Sequence, residues 1–306
     1  MHKSRGARLW RRIWASRYLY LMFLPVFLYY VIFRYGPMLG LSIAFKDFNA
    51  FLGFEKSPWV GFKYFQQFFN SIYLWRLVRN TLLINLYDLL FNFPAAIVLA
   101  LLLNEVQNRR FKKTVQTITY MPYFISSVVI ASMVVQFLSP SSGIVNNIIA
   151  AFGGERQYFM VQPESFRTIY TLMNLWKNVG WNSIIFLAAI SGINGELYEA
   201  CRVDGGGHLR QTWHITLPGI ASTIVIMLIM RLGHVLDAGY ETILLLQSNP
   251  ILETSDVIGT YVYRRGLTGG EYSYATAVGM FQSVIGFAMV IIANQLSRRY
   301  SETSLW

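Results

Sequence analysis

Six long apolar stretches constrain the fold of this chain more than any other feature. Each runs for about 20 residues or more with few charges, the length that an α-helix needs to cross a bilayer. The chain is 54% hydrophobic and only 13% charged, too apolar for an ordinary soluble domain of 306 residues. Because lipid offers backbone groups no partners, the sequence predicts an all-α integral membrane protein with six transmembrane helices. The predicted spans are residues 18–44, 80–104, 115–138, 168–192, 217–246 and 275–296.

The segments outside the spans leave no room for a second, soluble domain. Residues 1–17 form a basic arm with Trp10 and Trp14, which we expect to lie on the lipid headgroups. The first span is far longer than the apolar region of a signal peptide, and no small-residue cleavage site follows it, so we expect it to be retained. The predicted organisation is an N-terminal arm at 1–17, a membrane domain at 18–296 and a tail at 297–306.

The net charge of +11 is placed as in a membrane protein rather than a nucleic-acid-binding protein. Fourteen Lys and Arg residues lie at the two ends of the chain and in the connections after the second and fourth spans, against nine in the other three connections. Since Lys and Arg concentrate on the cytoplasmic side of a membrane, both termini and the 199–218 connection are predicted to be cytoplasmic. We therefore expect lipid, and no nucleic acid, around this chain.

Enzyme and metal motifs are absent from the sequence. It has no G-x-x-x-x-G-K-[ST] phosphate loop, no G-x-S-x-G and no H-E-x-x-H, so no catalytic residue is predicted and ATP hydrolysis would need another subunit. Cys201 is the single cysteine, which excludes an internal disulfide. His208 and His214 are six residues apart, which does not place two ligands on one helix face. No metal site is predicted.

A polar break, EACRVDGGGHLRQTWHITLP, separates the fourth and fifth spans. Residues 196–204 are expected to form a short helix with acidic residues near its start, followed by a sharp turn at the three glycines 205–207. A second short helix is predicted at 208–213. Pro218 is expected in the first turn of the fifth span. Two short helices around a glycine turn would make a compact knob.

The same break resembles the cytoplasmic loop of the membrane permeases of bacterial ABC importers. That family's pattern is Glu-Ala-Ala, three residues, Gly, nine residues, Ile, one residue, Leu-Pro. Cys201 departs from it where the family has its second Ala. The resemblance implies that residues 196–218 dock a separate ATPase. The positions that match the pattern are Glu199, Ala200, Gly205, Ile215, Leu217 and Pro218.

The resemblance also implies a fold and a set of partners. The fold would be that of a type I importer permease with cytoplasmic coupling helices, in the inner membrane of a bacterium. The partners would be a second homologous permease, two ATPase subunits that bind ATP and Mg²⁺, and an extracytoplasmic solute-binding protein. The chain itself would hold no cofactor, and transport would proceed by alternating access.

A saccharide is the substrate that the fourth span favours. This span reads MNLWKNVGWNS, unusually polar and aromatic for a lipid-facing helix, and flat rings with amide or charged donors suit sugar hydroxyls. By resemblance to maltose-type permeases, we expect substrate contacts here and, as a second choice, near Asp237 in the fifth span. Each residue could instead serve helix packing. The candidates are Asn174, Lys177, Asn178 and Trp181, then Asp237, Gly239 and Tyr240.

Charged residues inside the other spans allow further predictions. Asp88 and Lys177 could pair across two helices, and Arg34 is expected to snorkel to the outer surface. Lys177 and Arg231 hint at an acidic saccharide.

The three connections on the predicted outer side read as loops. The first, 45–79, is aromatic-rich and, with Asn80-Thr81, is similar to the same stretch of sugar-importing permeases. The others, 139–167 and 247–274, carry Ser-Pro, Asn-Pro and Gly-Gly turn signals.

Two alternatives stay open on sequence alone. The same importer architecture could carry an amino acid, a peptide or an anion. A secondary transporter without an ATPase would explain the spans but not the match in the 199–218 connection.

Overall fold

The computed structural model describes residues 14–300 and Ser304. In that part of the chain the regular secondary structure is helical, apart from one isolated bridge between Lys46 and Trp59. Most of the predicted arm 1–17 and half of the predicted tail 297–306 lie outside the described residues. The helices are α1 (Arg17–Phe45), α2 (Lys63–Phe69), α3 (Leu74–Glu105), α4 (Arg109–Phe124), α5 (Ser127–Phe137), α6 (Ile144–Ala151), α7 (Pro163–Ser191), α8 (Gly195–Val203), α9 (His208–Gly219), α10 (Ala221–Gly233), α11 (Tyr240–Leu246), α12 (Ile258–Val262) and α13 (Tyr272–Arg299).

Three of these helices are long and apolar enough to cross a membrane as they stand: α1, α3 and α13. Three further pairs qualify only if each bent pair counts as one span, with bends of 99° between α4 and α5, 71° between α7 and α8, and 56° between α9 and α10. The predicted span 115–138 is therefore made of two helices, α4 and α5, that meet at a sharp bend after Pro122. The predicted fifth span, 217–246, is also interrupted, because the chain leaves the helix after Gly233 and resumes at Tyr240.

Prolines explain three widened turns in these helices. Within an α-helix, the ring of a proline clashes with the carbonyl group of the residue four positions earlier. A π-turn has i→i+5 hydrogen bonds, and this wider turn moves that carbonyl group away from the ring. Pro218 does not start the fifth span as predicted. It lies near the end of α9, behind such a turn, and the helix breaks after it at Ile220. The π-turns Val31–Tyr35, Asp88–Asn92 and Thr212–Thr216 each end two residues before a proline, namely Pro37, Pro94 and Pro218.

Helix α7 is the central element of the bundle. Its buried residues recur every three or four positions and include Phe166, Tyr170 and Phe186, so one face packs against α3 and its neighbours. It has 29 residues and hence spans about 43 Å. At its first residue, Pro163 accepts a hydrogen bond from Thr254 Oγ1 at 2.7 Å. We call this the far end, because the other end leads directly into α8.

The segment 247–274, which its turn signals predict to be a loop, is largely helical. It folds back into the bundle as short helices, and Ile251, Val257 and Ile258 are buried. Asn80 holds it in place by donating to the carbonyl oxygens of Glu253 at 2.8 Å and Asp256 at 3.0 Å. The Asn80-Thr81 pair thus has a structural role in this chain.

The N-terminal part of α1, in contrast, is exposed along its whole length. None of its residues from Arg17 to Tyr30 is buried, and Arg34 also lies exposed on this helix. Only the last two turns, Leu39–Phe45, pack closely, against α13.

Candidate coupling knob and translocation site

The knob is formed by α8, α9 and the turn between them. Asn194 caps α8 by accepting a hydrogen bond from the Glu196 N–H at 3.0 Å. The helix ends in a Schellman motif: Gly206 N–H donates to Cys201 O at 2.7 Å, and Gly205 N–H to Arg202 O at 3.0 Å. Gly205 adopts φ +77°, a conformation that glycine takes without strain. The predicted helix and glycine turn are both present in the structure.

Polar contacts hold the two helices of the knob together. Gly206 is buried against α8, and a side chain there would overlap Cys201 Sγ and lie 2.8 Å from its carbonyl oxygen. The buried Gln211 donates to the Gly206 carbonyl at 3.1 Å. The hydroxyls of Tyr198 and Thr216 bond at 3.1 Å. His208 Nδ1 lies 2.6 Å from Glu105 Oε2, which ties the knob to the end of α3.

The outer surface of the knob is apolar. Val203 and Leu209 are each 87% exposed, Trp213 is 70% exposed and Leu197 is 53% exposed. A polar frame that presents large apolar side chains to its surroundings is typical of a protein-binding surface. Among the residues of the predicted pattern, four are exposed and two are half-buried in α9. The exposed ones are Glu199, Ala200, Gly205 and Pro218, and the half-buried ones are Ile215 and Leu217.

The two groups of predicted substrate residues are connected through Tyr170. The buried hydroxyl of Tyr170 donates to Ala238 O at 2.6 Å, and Asn174 lies one turn further along the same face of α7. Gly239 has φ +66°, and a Cβ there would lie 3.0 Å from the same hydroxyl. The break between α10 and α11 therefore packs directly onto α7. Tyr170 was missed by sequence reasoning, although its i−4 spacing from Asn174 places it on the same helix face.

Lys177 and Trp181 face the bend between α4 and α5 instead. Lys177 Nζ donates to Ser127 Oγ at 2.9 Å. Trp181 stacks on Tyr123 with ring centroids 4.4 Å apart and an interplanar angle of 3°, and it meets Phe124 edge-on. The spacing of positions 174, 177, 178 and 181 places all four on one face of α7. Asn178 is half-buried on it.

The predicted ion pair between Asp88 and Lys177 does not form. Asp88 pairs with Arg231 of α10 and accepts a hydrogen bond from Asn92. Lys177 is turned toward Ser127, so the carboxylate meets the cation of another helix. Because Asp88 neutralises Arg231 within the bundle, Arg231 is only weak support for an acidic substrate.

A groove of about 430 Å³ adjoins this region, and Asp237, Tyr240, Tyr263 and Gln282 are among the residues that line it. A smaller one of about 160 Å³ lies between α7 and α10 beside Asn182, Arg231 and His234. The described residues contain no group of three or more His, Cys, Asp or Glu side chains that could hold a metal ion. Aromatic, amide and charged side chains thus converge at the break after α10 and along one face of α7.

The match to a known family agrees with this arrangement. Residues 93–302 match the model of the family described as "Binding-protein-dependent transport system inner membrane component". Since this is more than half of the chain, the protein belongs to that family. It is a permease subunit of an ABC importer, a multi-pass protein of the inner membrane that is not itself an enzyme.

Three similar proteins belong to transport systems for polysaccharides or oligosaccharides. The polygalacturonan/rhamnogalacturonan transport system permease protein YteP of Bacillus subtilis (strain 168) is 43% identical over 304 residues, 99% of this chain and 95% of that protein. A chain from the crystal structure of a bacterial ABC transporter involved in the import of the acidic polysaccharide alginate is 47% identical, with a TM-score of 0.88 and coverage of 95% and 99%. A second, from the alginate transporter in complex with an alginate pentasaccharide-bound periplasmic protein, is 46% identical, with a TM-score of 0.89 and coverage of 97% and 100%.

Proposed function

We propose that this protein forms one half of the pore of an ATP-driven importer of oligo- or polysaccharides. The observation that carries the proposal is the near-complete structural agreement with the alginate transporter chain, at 46% identity over 97% of this chain. Similarity at that level covers nearly the whole bundle and is not confined to one segment of the chain. The other half of the pore would be a second, homologous permease.

The knob is the proposed attachment point for the ATPase. Its support is the exposed apolar surface at Val203, Leu209 and Trp213, on a frame that internal hydrogen bonds keep rigid. ATP with Mg²⁺ would bind to two partner ATPase subunits and not to this chain. Closure of those subunits would move the knob, and α7 and α9 would transmit the movement to the spans. With this role the knob would lie in the cytoplasm, and the concentration of Lys and Arg favours the same side for both termini.

The proposed saccharide path runs along the polar face of α7 and past the break after α10. Trp181 and Tyr123 offer flat rings, while Asn174, Lys177 and Asn178 offer donors at helical spacing. Asp237 and Tyr240 line the adjoining groove, and Gly239 lets the break approach Tyr170 closely. Aromatic faces next to amide and charged donors suit the ring and the hydroxyl groups of a sugar.

The test is transport by the complete complex. This chain would be purified with its co-expressed ATPase, second permease and extracytoplasmic binding protein, and reconstituted in liposomes. ATP-dependent uptake of labelled galacturonate or alginate oligosaccharides is the expected result, with sn-glycerol-3-phosphate and an amino-acid mixture as negative controls. Uptake of the controls in place of every saccharide would show that the importer carries another class of solute.

A further inference from the structure

A second polar site lies toward the far end of the bundle, and it shares Tyr263 with the groove that adjoins the proposed saccharide path. It is a groove of about 470 Å³ between the start of α3 and the segment that follows α12. Three arginines line it, Arg76, Arg264 and Arg265, together with Tyr73, Tyr261 and Tyr263. No acidic side chain is among its lining residues. From this geometry we propose that the groove binds the carboxylate groups of an acidic saccharide, such as a chain of uronate units. This inference rests on the proposed function.

A buried carboxylate fixes two of the three arginines. Asp256 is fully buried, and both of its oxygens are occupied: Arg76 Nη2 lies 2.8 Å from Oδ2, and Arg264 Nη2 lies 3.0 Å from both oxygens. Thr260 also donates to Oδ1 at 3.1 Å. The side chains of Arg76 and Arg264 are nevertheless 31% and 41% exposed. Each guanidinium therefore contacts Asp256 through Nη2, and its other N–H groups remain for a ligand.

The charge balance of the groove is positive. Arg265 pairs with Glu271 at 2.6 Å, so Arg76, Arg264 and Arg265 together face two carboxylates, Asp256 and Glu271. One positive charge is left over. Guanidinium groups bind carboxylates through paired N–H donors, and a preorganised pair loses less entropy on binding than free side chains do.

Aromatic rings alternate with these cations. The Arg76 guanidinium lies 5.0 Å from the ring centroid of Tyr73, and that of Arg265 lies 5.2 Å from the centroid of Tyr274. Tyr73 and Tyr263 remain 38% and 40% exposed. An exposed ring next to a fixed cation can stack on a sugar ring while the cation binds its carboxylate. An acidic protein surface would need only the charge, so the rings favour a saccharide as the occupant.

Two further arginines, Arg79 and Arg167, contact residues close in sequence to those that line the groove, because Arg79 donates to the carbonyl oxygen of Glu253 and Leu252 lines the groove. Arg79 and Arg167 form no salt bridge with a described residue; Arg167 Nη2 donates to Asn80 Oδ1 at 3.0 Å. Their Nε atoms are buried without a partner in the described part of the chain. Glu253, whose charge acts on Arg167, offsets one of these two charges, so they add one further positive charge to the field that an anion would meet.

The test measures binding without the solute-binding protein. The complex of both permeases and the ATPases, in nanodiscs, is titrated with fluorescent tetragalacturonate and with the neutral tetrasaccharide made by reducing its carboxyl groups. Wild type is expected to prefer the acidic form by about ten-fold, and Arg264→Gln is expected to remove most of that preference. Arg156→Gln is the matched control, because Arg156 bonds to the carbonyl oxygens of Pro140 and Ser141 and does not line the groove.

Three outcomes would overturn the proposal: no preference in wild type, an unchanged preference in Arg264→Gln, or an equal loss in Arg156→Gln. If Arg264→Gln does not fold, Arg265→Gln replaces it, since its partner Glu271 stays 41% exposed and can be solvated. The affinity of the substrate-free binding protein is measured in parallel. A loss there with saccharide binding intact would show a protein-docking role instead. Saccharide import without an acidic preference would refute this inference alone, whereas failure to import any saccharide would refute the proposed function.

Discussion

The two ends of α7 are built in opposite ways. At the knob, polar contacts such as Gln211 to Gly206 are inside and apolar side chains such as Val203 and Leu209 are outside. At the far end, a buried carboxylate, Asp256, anchors arginines whose heads reach the surface. An apolar surface suits a protein partner that stays bound, and a charged one suits a polar ligand that must leave again. The contrast supports the proposed coupling role at one end and the proposed binding of substrate at the other.

The knob should be the end at which a single change has the largest effect on transport. Glu199→Lys and Gly205→Asp both alter exposed positions of the knob, and Gly205 in addition has φ +77°, which an Asp adopts only with strain. Both variants are expected to insert normally in the membrane, to lose more than about 90% of ATP-dependent uptake and to release the ATPase during purification.

Gly207→Ala is the control for these variants, because a Cβ there would have no atom within 4 Å and its φ is −76°. Its uptake should remain near that of wild type. Normal transport in both Glu199→Lys and Gly205→Asp would refute the coupling role of the knob.

Substitutions at the far end should change the stability of the protein more than its coupling to the ATPase. Asp256→Asn removes the buried charge that Arg76 and Arg264 share, and the two cations then repel each other with no carboxylate between them. Breaking a buried pair costs about 3–5 kcal/mol, and because both arginines are partly exposed we expect about 2 kcal/mol here. The measurement is the apparent Tm in detergent.

Glu271→Gln is the matched control at the same end, since its pair with Arg265 is 36% and 41% exposed. It should change stability by less than about 0.5 kcal/mol. Equal effects of the two variants would show that the buried carboxylate is not the anchor of this end.

The two ends of α7 also differ in how much of their structure can be predicted from the sequence. The knob is contiguous, so the helix after Asn194 and the turn at Gly205 follow from local chemistry. The far end joins residues that are 180 positions apart, Arg76 and Asp256, and no local pattern predicts such a contact. The same reason explains the wrong pairing of Asp88 with Lys177, because hydropathy locates a charge in a span but does not say which helix it faces. Pro218 was misplaced because the rule for helix starts ignores the π-turn that lets α9 continue through a proline.

The smallest expected effect concerns an exposed carboxylate of the outer connections, Asp47. It accepts hydrogen bonds from the Tyr64 hydroxyl at 2.6 Å and from Lys63 Nζ at 3.2 Å. These two bonds lower the pKa of Asp47 below its ordinary value of 3.8. Burial, followed by the bond to Asp47, raises the pKa of Tyr64 to about 12, so its hydroxyl keeps the proton and donates it across the working pH range.

A carboxyl group whose pKa is lowered by folding stabilises the folded state above its unfolded pKa, and this contribution is lost as the pH falls through the folded pKa. The loss should therefore occur below about pH 4. Asp47 is 49% exposed, so water screens the interaction and the whole effect should be below about 1 kcal/mol. It is measured as the difference in apparent Tm between wild type and Asp47→Asn from pH 6 to pH 3. The difference should shrink toward acid pH, whereas a constant or growing difference would show that Asp47 acts through packing and not through its charge.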